Sequence, residues 1–424
     1  MGADGFDRAG PGRSAALLSR AQRFERKAGL LARMVAPGFH RILDRLDVGL
    51  ESGSITGRLP DGTVRLLGGR RPGFDAEVEL RDWRALIRLA SNGSIGWYQG
   101  WANGEWTSPD PVQVFAVFGA NAASLGSLGR ASGLFRLSAR LGHWLNRNDR
   151  AGARRNIEAH YDLGNAFYSA WLDPTMSYSS GYAVEGSELE EAQRKKWDLL
   201  EARLGDAKKV LEIGCGWGGL AAYLAEGGRE MTAISLSDEQ LEWARARHGN
   251  AGKKAGGSVA FLKQDYRDVN GQFDGIVSVE MVEALGRKYW SEFMRCLVRN
   301  LEHGGRAAIQ FISMRDEIFE AYAASADFIQ AYVFPGGMLI KQSEFRALAE
   351  KSGLGWVDQS DFGQDYAETL RLWRERFEEA VERKALPQGY DARFIDMWRY
   401  YLMYCEGGFR CGNIDVHQVT LIKS

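Results

Sequence analysis

The stretch Val210-Leu211-Glu212-Ile213-Gly214-Cys215-Gly216-Trp217-Gly218-Gly219-Leu220 decides the fold. An apolar run carrying an acidic residue near its end passes through closely spaced glycines into a segment of helical character, Leu220 to Ala225. Glycines allow a sharp turn at positive φ and let a ligand lie against the backbone. In an open α/β sheet, ligands bind beyond the carboxyl ends of the strands, at the topological switch point. Working outward, Lys209 to Ile213 predicts a first strand, and Met231 to Leu236 a second, followed by a helix over Glu239 to Arg247. Val259 to Leu262, Phe273 to Val279 and Ala307 to Ile312 predict three more. Strands alternating with helices imply a mostly parallel sheet covered on both faces.

A bare Gly-x-Gly-x-Gly is common to several nucleotide sites. No Lys-Ser/Thr follows the glycines, which excludes a P-loop. No acidic residue ends the second strand at Ile234-Ser235-Leu236-Ser237, so a dinucleotide would lack its ribose clamp. The acidic residue before the glycines, together with Gln264-Asp265-Tyr266-Arg267-Asp268 after strand three, resembles a class I S-adenosylmethionine-dependent methyltransferase. The fold expectation is therefore α/β: a class I Rossmann-like methyltransferase domain with a smaller α+β N-terminal domain.

The flanks carry a narrower resemblance. They include Asn156-Ile157-Glu158-Ala159-His160-Tyr161-Asp162, Met176-Ser177-Tyr178-Ser179-Ser180, Tyr332-Val333-Phe334-Pro335-Gly336-Gly337 and Cys405-Glu406-Gly407-Gly408-Phe409-Arg410. With the glycine loop, they are similar to the cyclopropane-fatty-acyl-phospholipid synthase family, which includes the mycolic acid cyclopropane synthases. The resemblance implies S-adenosylmethionine bound by Tyr161, Tyr178 and Ser179 at its methionine end and by Gly214 and Gly216 at the loop. It further implies Ser235, Leu236 and Gln240 at the ribose, and Asp265, Tyr266 and Arg267 at the adenine.

The same resemblance implies methyl transfer to a carbon–carbon double bond, which leaves a carbocation. Aromatic faces stabilise such a cation, and a dry cavity protects it from water. Tyr332, Phe334, Tyr366, Trp373, Trp398, Tyr400, Tyr401 and Phe409 are the lining candidates. In the family the proton is then taken by bicarbonate. The matching catalytic positions here are Glu283, Tyr366, Ser180, Gln310 and the backbone of Ile312. Ser180 and Gln310 stand where the family has Cys and His, and Ala284 where it has His after the Glu. Both replacements still hydrogen-bond, but a displaced base would change the product. Deprotonating the added methyl closes a ring, deprotonating a chain carbon leaves a methyl-branched alkene, and a hydride shift before loss from the methyl leaves an exocyclic methylene, so all three products stay open. No metal site is expected.

The formal charge of -1 conceals an asymmetry: residues 1–155 hold 23 Lys and Arg against 14 Asp and Glu, and the remainder 31 against 41. A basic module beside an acidic one suggests contact with an anionic surface, here a phospholipid bilayer with its unsaturated acyl chains. Nucleic acid is not expected, because no base-flipping Asn/Asp-Pro-Pro-Tyr/Phe motif is present. Residues 14–48 predict a basic amphipathic helix, and Thr63 to Leu67, Glu77 to Leu80 and Gly96 to Trp97 short extended segments. The aromatic cluster at Trp97, Tyr98, Trp101 and Trp106 fits either a lipid platform or a small core.

The domain expectation is 1–118 as a lipid-engaging unit, 119–155 as a Gly/Ala/Ser/Arg-rich linker and 156–424 as the catalytic domain. No run approaches the ~18 apolar residues of a membrane span, and Met1 to Gly12 lacks a signal-peptide core. These features predict a cytoplasmic protein held peripherally at the inner membrane face, and the resemblance adds a homodimer. The rival readings are a methyltransferase of a small non-lipid substrate and a non-catalytic lipid-binding homologue.

Overall fold

The computed structural model describes residues 36–126 and 163–424. The predicted helix before residue 36, most of the predicted linker and the cofactor residue Tyr161 lie outside the described residues.

The catalytic sheet has the strand order β7-β6-β5-β8-β9-β12-β11. Five strands run parallel: β5 (Lys209–Ile213), β6 (Glu230–Ser235), β7 (Ser258–Lys263), β8 (Phe273–Val279) and β9 (Leu301–Met314). Two-residue β10 (Ile340–Lys341) pairs with the end of β9. At the other edge β11 (Leu354–Asp361) and β12 (Ile414–Lys423) are antiparallel. After β5 the chain builds outward through β6 and β7, then crosses back to β8 and β9. The glycine loop therefore leaves β5 at the switch point, where the sheet opens a crevice. Val210 and Leu211 are fully buried, as expected of a central parallel strand with both faces covered.

Four helices shape the crevice. Leu189–Leu204 (α4) turns a stripe containing Ala192, Gln193, Lys196, Trp197 and Leu200 inward. Gly219–Glu226 (α5) follows the glycine loop. Helices Gly363–Glu382 (α10) and Ala392–Arg410 (α11) pack together over the carboxyl ends of the strands. Here the labels α1 to α3 denote the N-terminal helices Ala36–Gly49, Arg84–Ala102 and Pro111–Ala120. The labels α6 to α9 denote Asp238–His248, Trp290–Asn300, Asp316–Ala323 and Gln342–Lys351.

The N-terminal unit is a four-stranded sheet, β2-β1-β3-β4, flanked by α1 to α3. Its strands are β1 (Ser54–Arg58), β2 (Val64–Gly68), β3 (Asp75–Leu80) and β4 (Trp106–Thr107). The predicted extended segment at Gly96 to Trp97 is instead helical, inside α2, which kinks at Gly93. Gly93, Gly96 and Gly100 sit at helical spacing because backbones and rings come close there. A Cβ on Gly96 would lie 2.0 Å from the Arg88 carbonyl oxygen, and one on Gly100 3.0 Å from the Trp106 ring. The aromatic cluster is core: Trp97 stacks on Trp106 at 4.2 Å, and the Trp106 Nε1–H donates to the Trp97 carbonyl.

The segment predicted to begin the linker at residue 119 holds to this unit. Asn121 Oδ1 accepts from the backbone N–H groups of Glu51 and Ser52, at 2.8 and 3.0 Å. The unit also docks on the catalytic domain. Tyr98 packs against Phe328, Tyr332 and Tyr400, and Phe115 against Tyr400. Gly407 of α11 permits this approach, since a Cβ there would stand 2.5 Å from that of Phe115.

Candidate active site

Two cavities meet above the carboxyl ends of β5, β8 and β9. The first follows the glycine loop and is lined by Tyr178, Ser179, Gly214, Gly216, Ser235, Leu236, Gln240, Asp265, Tyr266 and Arg267. Thus all the sequence-predicted cofactor residues except the undescribed Tyr161 surround one space. Gly214 and Cys215 both donate backbone N–H groups to the Ile234 carbonyl, tying the loop to β6. Gly216 has φ +52, and a Cβ there would meet no atom within 4 Å, so the backbone lies open to a ligand. Arg267 is paired with Asp265 (Nη2 to Oδ2 2.6 Å) at the far end of the cavity.

Glu212 and Lys196 also line this space. Burial pushes the Glu212 carboxyl up to about 8, and its Oε2 has no hydrogen-bond partner among the described residues. Lys196 Nζ donates to Ser179 Oγ at 2.6 Å, and burial lowers it to about 8 against the pull of Glu280, Asp173 and Glu212. Lys196 was not singled out from the sequence. A lysine within the otherwise inward-facing α4 stripe was the available signal.

The second cavity is larger, about 2430 Å³ with its open mouth. Phe334, Tyr366, Tyr400, Tyr401 and Phe409 line it, joined by Trp97, Phe115 and Phe118 of the N-terminal unit. Trp373 and Trp398, predicted to line it, are instead fully buried in the core; they meet Trp171 and Phe167 respectively edge to face, among other rings. Tyr332 is likewise core, against Tyr98 and Phe328. Tyr178, Glu280 and Ala284 line both cavities and so form the junction.

The predicted catalytic residues gather at that junction, but around a different carboxylate. Glu280 Oε1 accepts from the Ser180 backbone N–H at 3.0 Å and from Gln310 Nε2 at 2.7 Å, while Oε2 accepts from the Tyr366 hydroxyl at 2.7 Å. Gln310 is itself oriented by Gln418, whose Nε2 donates to its Oε1 at 2.9 Å. Glu283 stands beside this group, with Oε1 accepting from the Ile312 N–H and Oε2 without a partner among the described residues. The Ser180 hydroxyl does not face the site; it donates to the Gly181 carbonyl.

Ser180, Gln310, Tyr366, Ile312 and Glu283, the residues expected to cradle bicarbonate, thus come together with Glu280 among them. Their donors are taken by the protein's own carboxylates, and a further anion would meet two acidic side chains. Glu280 was missed although a charged residue directly after the apolar run Phe273 to Val279 marks a strand's carboxyl end. Its backbone is also unusual for a non-glycine residue, with φ 47. Such strain concentrates at functional sites.

Like carboxylates so close do not both ionise readily. Burial, and then the neighbouring Glu280, push Glu283 up to about 8. Burial raises Glu280 too, but Lys196, Tyr366, Ser180 and Gln310 oppose it. Three hydrogen-bond donors and the Lys196 charge favour ionisation of Glu280 over that of Glu283.

Glu212 gives a pH prediction. Its folded pKa is raised above that of the unfolded chain, so its contribution to stability is full below about 4.5 and is lost as pH rises to about 8. Relative to wild type, ligand-free Glu212→Gln is expected to gain stability steadily across that window. Denaturant melts at several pH values check this, and a constant difference between the two proteins would contradict it.

A mostly parallel sheet of this order with an antiparallel edge, and a glycine-loop cavity at its switch point, defines a class I S-adenosylmethionine-dependent methyltransferase. The chain belongs to the mycolic acid cyclopropane synthetase family, whose pattern it matches over residues 148–419. It is 38% identical to the tuberculostearic acid methyltransferase UfaA1 of Mycobacterium tuberculosis, over 79% of this chain and 80% of that protein. It is 37% identical to the cyclopropane-fatty-acyl-phospholipid synthase of Escherichia coli, over 62% of this chain and 66% of that enzyme. Among solved structures, mycolic acid cyclopropane synthase CmaA1 complexed with SAH and CTAB aligns with 28% identity and a TM-score of 0.59. That alignment covers 64% of this chain and 98% of CmaA1.

Proposed function

We propose that this chain transfers the methyl carbon of S-adenosylmethionine to the double bond of unsaturated acyl chains in membrane phospholipids, giving cyclopropane or methyl-branched products. The observation that carries this reading is the junction of the cavities: a long aromatic-lined chamber opens on the cofactor space at Tyr178, Glu280 and Ala284. Bound there, S-adenosylmethionine supplies an electrophilic methyl group. Tyr178, its hydroxyl hydrogen-bonded to that of Tyr401 at 2.8 Å, fixes one side of the passage. The rings of Tyr366 and Phe409, with centroids 4.4 Å apart, present π faces that suit a developing carbocation. The surrounding apolar wall keeps water away from it. The names of the UfaA1 and Escherichia coli relatives agree with acyl chains as substrate.

In the same reading the N-terminal unit meets the bilayer from the cytoplasmic side. The described residues include no helix long and apolar enough to cross a membrane. Val64 and Leu66 instead stand out from β2, 58% and 63% exposed, on either side of Arg65, and Val48 nearby in sequence is 74% exposed. Exposed apolar side chains suit insertion at a lipid interface, and Arg65 between them in sequence is ion-paired with Asp44 at 2.9 Å.

Purified protein given trideuteromethyl-labelled S-adenosylmethionine and vesicles of monounsaturated phosphatidylglycerol is expected to place deuterium in the acyl chains. Label in a water-soluble product, formed equally well without vesicles, would favour the small-molecule reading. Cofactor binding with no transfer to any acceptor would favour the non-catalytic one.

A further inference from the structure

We infer that the side-chain carboxylate of Glu280 is the proton acceptor of the reaction, a base built into the chain where the family resemblance implies bicarbonate. The inference rests on the acyl-transfer reading above and goes beyond it. Its support is geometric. The donors from positions 180, 310 and 366, expected to hold a free oxyanion, converge on the two Glu280 oxygens at 2.7 to 3.0 Å. A carboxylate and a bicarbonate present the same planar pair of anionic oxygens, so one cradle serves either. Glu280 also lines both cavities, placing it where the methyl donor and the acyl chain meet. Its positive φ turns the side chain from the end of β8 into that junction at a cost in backbone strain.

The step balances as follows. The sulfur–methyl bond breaks as a bond forms from the methyl carbon to one alkene carbon, releasing S-adenosylhomocysteine and leaving the cation on the other alkene carbon. Glu280 then takes one proton. Loss from the new methyl closes a cyclopropane; loss from a neighbouring chain carbon gives a methyl-branched alkene. A hydride shift followed by loss from the methyl gives a methylene branch. The electron pair of the broken C–H bond quenches the cation in each case. No oxidant or reductant is consumed, and the Glu280 carboxylic acid returns its proton to solvent after product leaves. Lys196, through its charge and its bond to Ser179, is a positioning residue for this base.

The test is bicarbonate dependence of turnover on monounsaturated phospholipid vesicles, with cofactor affinity measured alongside. Wild type is expected to keep full rate in carbonate-free buffer. Glu280→Gly, whose backbone accepts the positive φ, is expected to fall about 10²–10⁴-fold and to regain at least tenfold when bicarbonate or formate fills the vacated cradle. Glu280→Gln covers the case in which the glycine variant does not fold: it should bind S-adenosylmethionine within about threefold of wild type yet turn over as slowly as the glycine variant. Wild type that stops without bicarbonate, or a Glu280→Gln protein that retains its rate, would overturn the inference. Wild type that transfers no methyl to any acyl chain would instead overturn the reading beneath it.

Discussion

Gly218→Val is expected to cost roughly 3 kcal/mol of stability or more and to remove measurable cofactor binding. Gly218 has φ +83 and caps the N-terminus of α5, the helix that leaves the glycine loop. A left-handed conformation costs a non-glycine residue ~1–2 kcal/mol and is worst for a β-branched one. Space is lacking as well: a Cβ would stand 2.6 Å from the Phe261 ring and 2.9 Å from the Ala244 methyl. Overpacking of that kind adds ~1–3 kcal/mol. Gly216→Ala makes the contrast. Its φ is also positive, but a Cβ would project into the cofactor space rather than into the core. That variant should lose only ~1–2 kcal/mol of stability while weakening S-adenosylmethionine by about tenfold or more. Denaturant unfolding and calorimetric binding separate the two, and equal effects on both properties would contradict this division of the loop.

The second large effect is on turnover. Tyr366→Phe is expected to lower kcat about 10–100-fold while leaving the cofactor Kd and the lipid KM nearly unchanged. The ring keeps its packing against Phe409, but the hydroxyl that donates to Glu280 Oε2 at 2.7 Å is gone. A hydrogen bond to a buried charged group is worth ~1.5–3 kcal/mol, and a loss confined to kcat marks an interaction made at the reacting centre. Raising the pH should recover part of the deficit, because removing the donor leaves the base less stabilised as an anion. A change in KM alone, with kcat intact, would place Tyr366 in substrate packing.

The parallel half of the sheet was legible because its strands are short, mostly apolar runs bounded by glycines or charged residues, such as Val210 to Ile213 and Phe273 to Val279. Strand β12 was not read as a strand, since His417, Gln418 and Thr420 break its apolar pattern. Each of the three is buried but satisfied: His417 by Ser313, Gln418 by Gln310, and Thr420 by Arg203. The glycines of α2 read as strand punctuation because their real cause, close approach to Arg88 and Trp106, exists only in three dimensions. Within the site, residue types at spaced positions were enough to bring Asp265, Gln240 and Tyr178 to one cavity. They were not enough to rank two glutamates three residues apart. That ranking depends on which carboxylate Ser180, Gln310 and Tyr366 reach, and these come from three distant parts of the chain.

The central claim is that one carbon passes from S-adenosylmethionine to an acyl double bond through the junction at Tyr178, Glu280 and Ala284. Mass spectrometry of total fatty acids from cells expressing the wild-type protein or the Glu280→Gln variant tests it most directly. The account predicts monounsaturated chains heavier by one CH2 unit in the first culture and at background in the second. Hydrogenation that reduces alkenes but spares rings would then tell cyclopropane from branched or methylene product. Unchanged fatty acids in cells that accumulate folded, cofactor-binding wild-type protein would contradict it.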